Sequence, residues 1–384
     1  MMVGIHKIAK KHHMTPPNLL ANIGTLAKTT PNLIDLSIGD PDLITDQRIT
    51  AAAFTDVQNG ATKYTESAGE SELITAIIHF FKRIYHLDFK PEEVRATVGA
   101  LHGMYLALQT ILDPGDEVII HEPYFSPYKE QVLNSGGTPV FIPTYEKNGF
   151  AIHVDILEAA ITNKTKALIL NSPNNPTGSV FPKETLLKIA QLAKKYDFFI
   201  LADEVYDGFS FYEKFLPMAT FAPKHTITFG SLSKNFAMTG WRIGYMIAPD
   251  YVNEAAKLIN EGITYSAPTP SQRAAIYALN HAEEFIPQVT NVFQKRLEYI
   301  VKRIETIPYL SIHPLKGSIY AFINISATQM DSVSFSEYLL KETQILVVPG
   351  LAFGDSGDHY IRLAATQDIP TLKEAFDRLE KLNF

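Results

Sequence analysis

The sequence predicts an α/β protein: a mostly parallel seven-stranded sheet with helices on both faces, followed by a smaller α+β domain. Three observations predict it. Through the middle of the chain, short β-branched or aromatic runs alternate with longer amphipathic ones, the rhythm of βαβ units. Several of the short runs are apolar at nearly every position, as strands covered on both faces require. After about residue 270 the rhythm changes to long helices separated by brief strands.

The strand candidates of the sheet are 94–98, 117–121, 139–142, 167–170, 198–202, 226–229 and 244–247, and helices are expected over 103–112, 127–135, 154–161 and 183–196. Beyond them, 272–279 and 282–307 predict helices, 318–323, 345–348 and 360–363 short strands, and 369–382 a closing helix. The implied organisation is an N-terminal arm with part of the small domain over 1–40, a large cofactor-binding domain over 41–270, and a small C-terminal domain over 271–384.

With 384 residues, 46% of them hydrophobic and 20% charged, the chain has material for a large core. A net charge of −7 offers nothing to nucleic acid or an anionic membrane. The basic cluster Lys7, Lys10, Lys11, His12 and His13 is short and predicts a solvated helix face. The absence of cysteine excludes disulfides, thiolate nucleophiles and cysteine-based zinc or iron–sulfur sites. The first 14 residues lack a signal-peptide core. No run approaches the ~18–20 apolar residues of a membrane span, so a cytoplasmic protein without membrane partners is expected.

Ligands of open α/β sheets bind at the carboxyl ends of strands. Five chemically interesting segments follow expected strands: Gly99-Ala100-Leu101, Pro123-Tyr124-Phe125, 171–178, 203–206 and 231–234. In the last, Lys234 is flanked by Ser231 and Ser233, with Arg242 eight residues on. A lone lysine is ordinarily a solvated surface charge. These neighbours instead suit a lysine that condenses with an aldehyde beside a phosphate. Pyridoxal 5'-phosphate carries both groups, and enzymes hold it as a lysine Schiff base.

The other segments supply what such a cofactor needs. Asp203 ends the apolar run 198–202, where a buried carboxylate requires a partner. A protonated pyridine nitrogen is one, and an N-cap or structural ion pair the alternative. Tyr206 and Asn175 are candidates to bond the ring oxygen O3', although Asn-Pro-Thr-Gly by itself is also a plain turn. Gly99, Ala100 and Leu101 open a helix whose N–H groups suit a phosphate, and Arg242, Ser231 and Ser233 add donors. Arg362, on an apolar strand, demands an anion, either an internal carboxylate or that of a substrate.

Taken in order, Asn175-Pro176-Thr177-Gly178, Asp203-Glu204-Val205-Tyr206, Ser231-Leu232-Ser233-Lys234, Gly240-Trp241-Arg242-Ile243-Gly244 and Ile361-Arg362-Leu363 resemble the class I/II aminotransferases of PLP fold type I. The likeness to the aspartate/aromatic branch runs from about Ser37 to the C-terminal helix. It implies Lys234 as Schiff-base lysine and proton shuttle, Asp203 as pyridinium partner, and Tyr206 and Asn175 as O3' partners. Phe125 falls where the family stacks an aromatic ring on the pyridine, and Ala100, Leu101, Ser231 and Arg242 match the phosphate cup. Arg362 matches the clamp on the substrate α-carboxylate, with Gly39 and Asn175 beside it. Tyr64 resembles the tyrosine that reaches the neighbouring subunit's cofactor, which implies a homodimer with shared sites.

One position departs from the dicarboxylate-specific subgroup. Where that subgroup has an arginine for the distal carboxylate, four residues before the serine of a Tyr-Ser pair, this chain has Gly262. The expected activity is transfer of an amino group from an L-amino acid, aspartate or an aromatic one, to a 2-oxo acid by a ping-pong route. A C–S β-lyase on the same scaffold is the alternative.

Overall fold

The structure is a computed structural model describing residues 30–384, together with Lys7 and Ala9; the basic cluster near the N-terminus therefore lies largely outside the described residues. The strands are β1 (Ile34–Asp35), β2 (Val94–Thr97), β3 (Glu117–Glu122), β4 (Thr138–Pro143), β5 (Thr165–Asn171), β6 (Phe199–Asp203), β7 (Thr226–Ser231) and β8 (Gly244–Ile247). The later ones are β9 (Ser311–Ile312), β10 (Tyr320–Asn324), β11 (Ile345–Leu346), β12 (Val348–Pro349) and β13 (Tyr360–Ala364).

Seven of them form one sheet in the order β2-β8-β7-β6-β5-β3-β4. The pairs among β3, β4, β5, β6 and β7 are parallel, and β8 runs antiparallel between β2 and β7. Alternation along the strands explains why they are apolar throughout. Val118, Ile120, Ala167, Ile169 and Leu201 enter a core shared with the helices Ala100–Ile111 and Asp250–Glu261. Ile119, Leu168, Leu170, Ile200 and Ala202 point the other way and pack with Leu186 and Ile189 of the helix Lys183–Tyr196. The inner strands β5, β6 and β7 are buried on both faces, whereas the edge strand β4 exposes Thr138 and Phe141.

The carboxyl-terminal half of the chain adds a four-stranded antiparallel sheet, β12-β13-β10-β9. Its core takes Phe293, Leu297, Ile300 and Ile304 from the long helix Ala282–Ile304 and Leu372 and Phe376 from the closing helix Ile369–Leu379. The expected strand 345–348 divides at Val347. Its first half, β11, pairs in parallel with β1, and its second half, β12, pairs with β13. The chain thus enters its described part beside the small sheet. The amino end of the long helix contributes Ala282 and Phe285 to a fourth core, which also holds Ala274 and Ala278 of the helix Thr269–Asn280 and Phe80 of the helix Ser71–Tyr85.

Candidate active site

Five strand ends deliver side chains to one cavity of about 440 Å³. Asn171 and Asp203 are the last residues of β5 and β6 and lie opposite each other in the sheet register. Ser231 ends β7 and caps the short helix Leu232–Asn235, its Oγ accepting from the N–H of Ser233 at 3.1 Å. That turn lifts Lys234 into the cavity, where Nζ donates to the carbonyl of Gly39. Phe125 follows β3, and Ala100 and Leu101 open a helix after β2.

Asp203 is buried, 8% exposed, and among the described residues no cation lies within ion-pair distance of it. The Tyr128 hydroxyl donates to Oδ2, and the Val205 N–H approaches Oδ1 at 3.4 Å. Burial pushes the carboxyl up to about 6, and the two hydrogen bonds resist that rise. A charge left unpaired at this depth is costly. A protonated heterocyclic nitrogen inside the cavity would supply the missing opposite charge.

Arg362, in β13, presents the complementary case. It is 5% exposed and its guanidinium is stacked 4.3 Å from the Tyr320 ring and 4.9 Å from the Phe353 ring. One terminal nitrogen donates to Asn175 Oδ1 at 3.0 Å, the other to the Ser37 carbonyl, and Nε has no partner among the described residues. Burial works against its charge, although a guanidinium stays ionised. A buried cation held only by neutral oxygens and ring faces is ready for a carboxylate.

The phosphate end of the cavity is legible too. Arg242 donates from Nη1 to the Thr239 carbonyl at 2.8 Å, and among the described residues no carboxylate neutralises it. A first-turn helix N–H has no intrahelical acceptor, which leaves those of Ala100 and Leu101 open to an anion. Gly99 does not line the cavity. At φ +73° it turns the chain into the helix, and a Cβ there would lie 2.6 Å from Arg242 Nη2. Its contribution is room for the arginine. Cation, free N–H groups, serine hydroxyls, an unpaired carboxylate and a poised lysine together fit pyridoxal 5'-phosphate.

Lys234, Asp203, Tyr206, Asn175, Ala100, Leu101, Phe125, Ser231, Ser233, Arg242, Gly39 and Arg362 all border this cavity. Tyr206 reaches it from a turn after β6 that leads into one 3-10 turn, Asp207–Phe209. Tyr64 stands apart. It is 90% exposed, stacks edge-on against Tyr265 at 5.6 Å and borders a separate surface groove.

Sequence reasoning missed three residues that organise the site. Tyr128 is buried in the first turn of the helix Pro127–Asn134 and meets the Phe125 ring edge-on at 5.5 Å. Tyr320 meets the Tyr206 hydroxyl at 3.2 Å as well as stacking on Arg362, and nothing in its apolar strand announced it. Asn171 donates from Nδ2 to the Asp203 carbonyl at 2.9 Å and accepts the Asn175 N–H at 2.8 Å. It thereby joins two site segments.

Known proteins with this arrangement are readily found. The family model "Aminotransferase class I and II" matches residues 31–379. An aspartate aminotransferase of Pyrococcus horikoshii is 38% identical over 358 residues, 92% of each chain. The aromatic-amino-acid aminotransferase 2 of Thermococcus litoralis is 36% identical over 98% of each. Among solved structures, an aspartate aminotransferase from Thermus thermophilus with maleate superposes with a TM-score of 0.91 at 34% identity, covering 96% of this chain and 97% of that one. The aromatic aminotransferase from Pyrococcus horikoshii does so with a TM-score of 0.89 at 33% identity, covering 94% and 98%. These relatives carry transaminase names, and the lyase alternative is not favoured by them. By its family match, its overall likeness and the order of its motifs, the chain belongs to the class I and II aminotransferases.

Proposed function

We propose that this aminotransferase uses pyridoxal 5'-phosphate bound through Lys234, and that it moves an amino group from aspartate or an aromatic amino acid to a 2-oxo acid in two half-reactions. The observation that carries the reading is the pair of unmatched buried charges, Asp203 and Arg362, in the one cavity that also receives Lys234. Bound there, the cofactor supplies an aldehyde for amine exchange and a ring that accepts the electron pair left when a Cα proton departs.

The residues divide the remaining work. Asp203 holds the ring nitrogen protonated, and Tyr128 keeps that carboxylate oriented. Tyr206 and Asn175 donate toward the ring oxygen, and Phe125 covers the ring face. Arg242, Ser231, Ser233 and the N–H groups of Ala100 and Leu101 anchor the phosphate. Arg362 would hold the substrate α-carboxylate, next to Gly39. Lys234 would anchor the cofactor covalently and, as a free amine, would take up and return the substrate Cα proton.

No described helix is long and apolar enough to cross a membrane. A cytoplasmic homodimer, with Tyr64 reaching the second copy's phosphate, is the form we propose. Its exposed position outside its own cavity supports that role. The test is an absorbance titration of cofactor-loaded protein with single L-amino acids and no acceptor. Loss of the visible cofactor band with an equivalent of 2-oxo acid formed is the expected result. Pyruvate and ammonia released catalytically from a cysteine conjugate without acceptor would replace it with the lyase reading.

A further inference from the structure

The lysine that the proposed function makes the cofactor's anchor stands on very little backbone. The helix Leu232–Asn235 is a single turn, too short to be held by its own hydrogen bonds. Ser231 fastens its amino end, its Oγ accepting from the Ser233 N–H at 3.1 Å. Leu232 and Phe236 are buried against apolar neighbours, which gives adhesion without direction. The carboxyl end is fastened by Asn235, whose Nδ2 donates to Asp207 Oδ1.

Asp207 and Asn235 are 7% and 3% exposed, and neither borders the cavity. The Asp207 carboxylate collects two further donors, the Tyr85 hydroxyl at 2.6 Å on Oδ2 and the Gly208 N–H at 2.9 Å on Oδ1. Burial pushes its pKa up, and the bonds from Tyr85, Asn235 and Gly208 oppose that rise, as bonds to an ionised carboxylate do. The amide of Asn235 is committed to this contact. Its Oδ1 is buried without a partner among the described residues, a penalty that packing alone gives no reason to accept. A Cβ at Gly208 would lie 2.6 Å from that oxygen, so glycine there lets the two segments come this close. Chain neighbours complete the connection. Asp207 follows Tyr206, the candidate partner of the ring oxygen, and Asn235 follows Lys234.

We propose that Asp207, acting through Asn235, is a positioning residue for Lys234. It fixes the lysine's turn relative to the segment that carries Tyr206, so one carboxylate sets where the amine stands against the ring it must meet. Attachment joins the amine nitrogen to the aldehyde carbon, and the aldehyde oxygen leaves as water. Its rate depends on where Nζ is held, and a misplacement of about 1 Å costs on the order of a hundredfold.

Cofactor-free protein separates this role from a general structural one. Growth of the visible band on adding pyridoxal 5'-phosphate reads attachment to Lys234. Affinity for pyridoxamine 5'-phosphate, which has no aldehyde, reads the non-covalent cradle alone. Asn235→Ala and Asn235→Asp should each slow attachment at least about tenfold, the scale of one hydrogen bond to a charged group, with pyridoxamine 5'-phosphate affinity nearly unchanged. Exchanging the pair, Asp207→Asn with Asn235→Asp, restores a donor opposite a carboxylate and should recover most of the rate. Attachment as fast in Asn235→Ala and Asn235→Asp as in the wild type would overturn the inference. So would a pyridoxamine 5'-phosphate affinity that falls in step with the rate. A visible band that forms equally in Lys234→Ala would instead overturn the Lys234 anchor on which the inference rests.

Discussion

Tyr128 and Asp203 form a buried phenol–carboxylate pair at the floor of the cavity, 1% and 8% exposed, with the phenol donating to Oδ2. The hydrogen bond favours the ionised carboxylate while burial opposes it. Removing the phenol therefore drives the Asp203 pKa further up and weakens its hold on a cationic ring nitrogen. Tyr128→Phe should lower kcat about five- to twentyfold, the scale of one hydrogen bond to a charged group, with KM for the amino acid nearly unchanged. Steady-state kinetics separate the two. Asp203→Asn, which removes the charge itself, should cost at least about a hundredfold.

Lys234→Ala removes both the covalent anchor and the proton carrier. Turnover should fall by roughly a thousandfold or more, while thermal unfolding shifts little, because Nζ holds only one backbone carbonyl. A stopped-flow half-reaction alongside a melting curve checks both halves of the statement.

Arg362→Leu should raise KM for the amino acid by about a hundredfold, the usual scale for one half of a buried charge pair. The visible cofactor band should persist, since Arg362 bonds Asn175 and Ser37 and not the phosphate end. Cofactor absorbance and saturation kinetics on the same preparation decide it.

Gly39→Ala probes a steric requirement. A Cβ at this position would fall 1.8 Å from the Tyr320 hydroxyl oxygen. Tyr320 would have to move, releasing its contact with Tyr206 and its stacking on Arg362. Substrate affinity should drop at least about tenfold, and a second change, Tyr320→Phe, should recover part of it by removing the obstructing atom. Binding of an unreactive amino-acid analogue reports the effect directly.

Glu204, adjacent to Asp203, predicts a pH dependence of stability. It is 7% exposed, and burial pushes its carboxyl up from 4.5 to about 8, against the opposing hydrogen bond from the Met218 N–H. Between pH 4.5 and 8 the folded chain keeps a proton that the unfolded chain has released. Its stabilising contribution is complete below 4.5 and lost as pH rises through 8. The slope for one such proton is about 1.4 kcal/mol per pH unit. Cofactor-free protein should melt progressively lower from pH 6 to 8, and Glu204→Gln should flatten that slope. Identical slopes for the two proteins would assign the titration to another group.

Much of the architecture was legible because the burial pattern is extreme. Strands such as 167–170 and 198–202, covered on both faces, have no polar positions to blur their limits, and each strand of the seven-stranded sheet begins and ends within two residues of its expected span, whereas β1 and β9 of the small sheets were not foreseen. The helices Gln47–Gln58, Ser71–Tyr85 and Asp250–Glu261, which no pair of expected strands brackets, were not foreseen, and neither was Ser332–Thr343, where three serines dilute the apolar pattern. At the site, residues with reactive or charged groups announced themselves by type. Tyr128, Asn171 and Tyr320 did not, because their importance lies in partners distant in sequence: 75 residues separate Tyr128 from Asp203, and 114 separate Tyr206 from Tyr320. The division of 345–348 between two sheets is likewise a tertiary outcome, as β1 and β13 each claim half of one apolar run.

The cavity's lysine and its buried arginine rest on main-chain oxygens, those of Gly39 and Ser37, and the carbonyl of Ile38 between them receives the Thr366 hydroxyl at 3.1 Å. A peptide carbonyl is the same whatever side chain its residue bears. The codon for Ile38 can therefore drift while the reacting groups stay where they are. A side-chain change at residue 38 leaves in place the main-chain oxygens of Ser37 and Gly39 on which Arg362 and Lys234 rest.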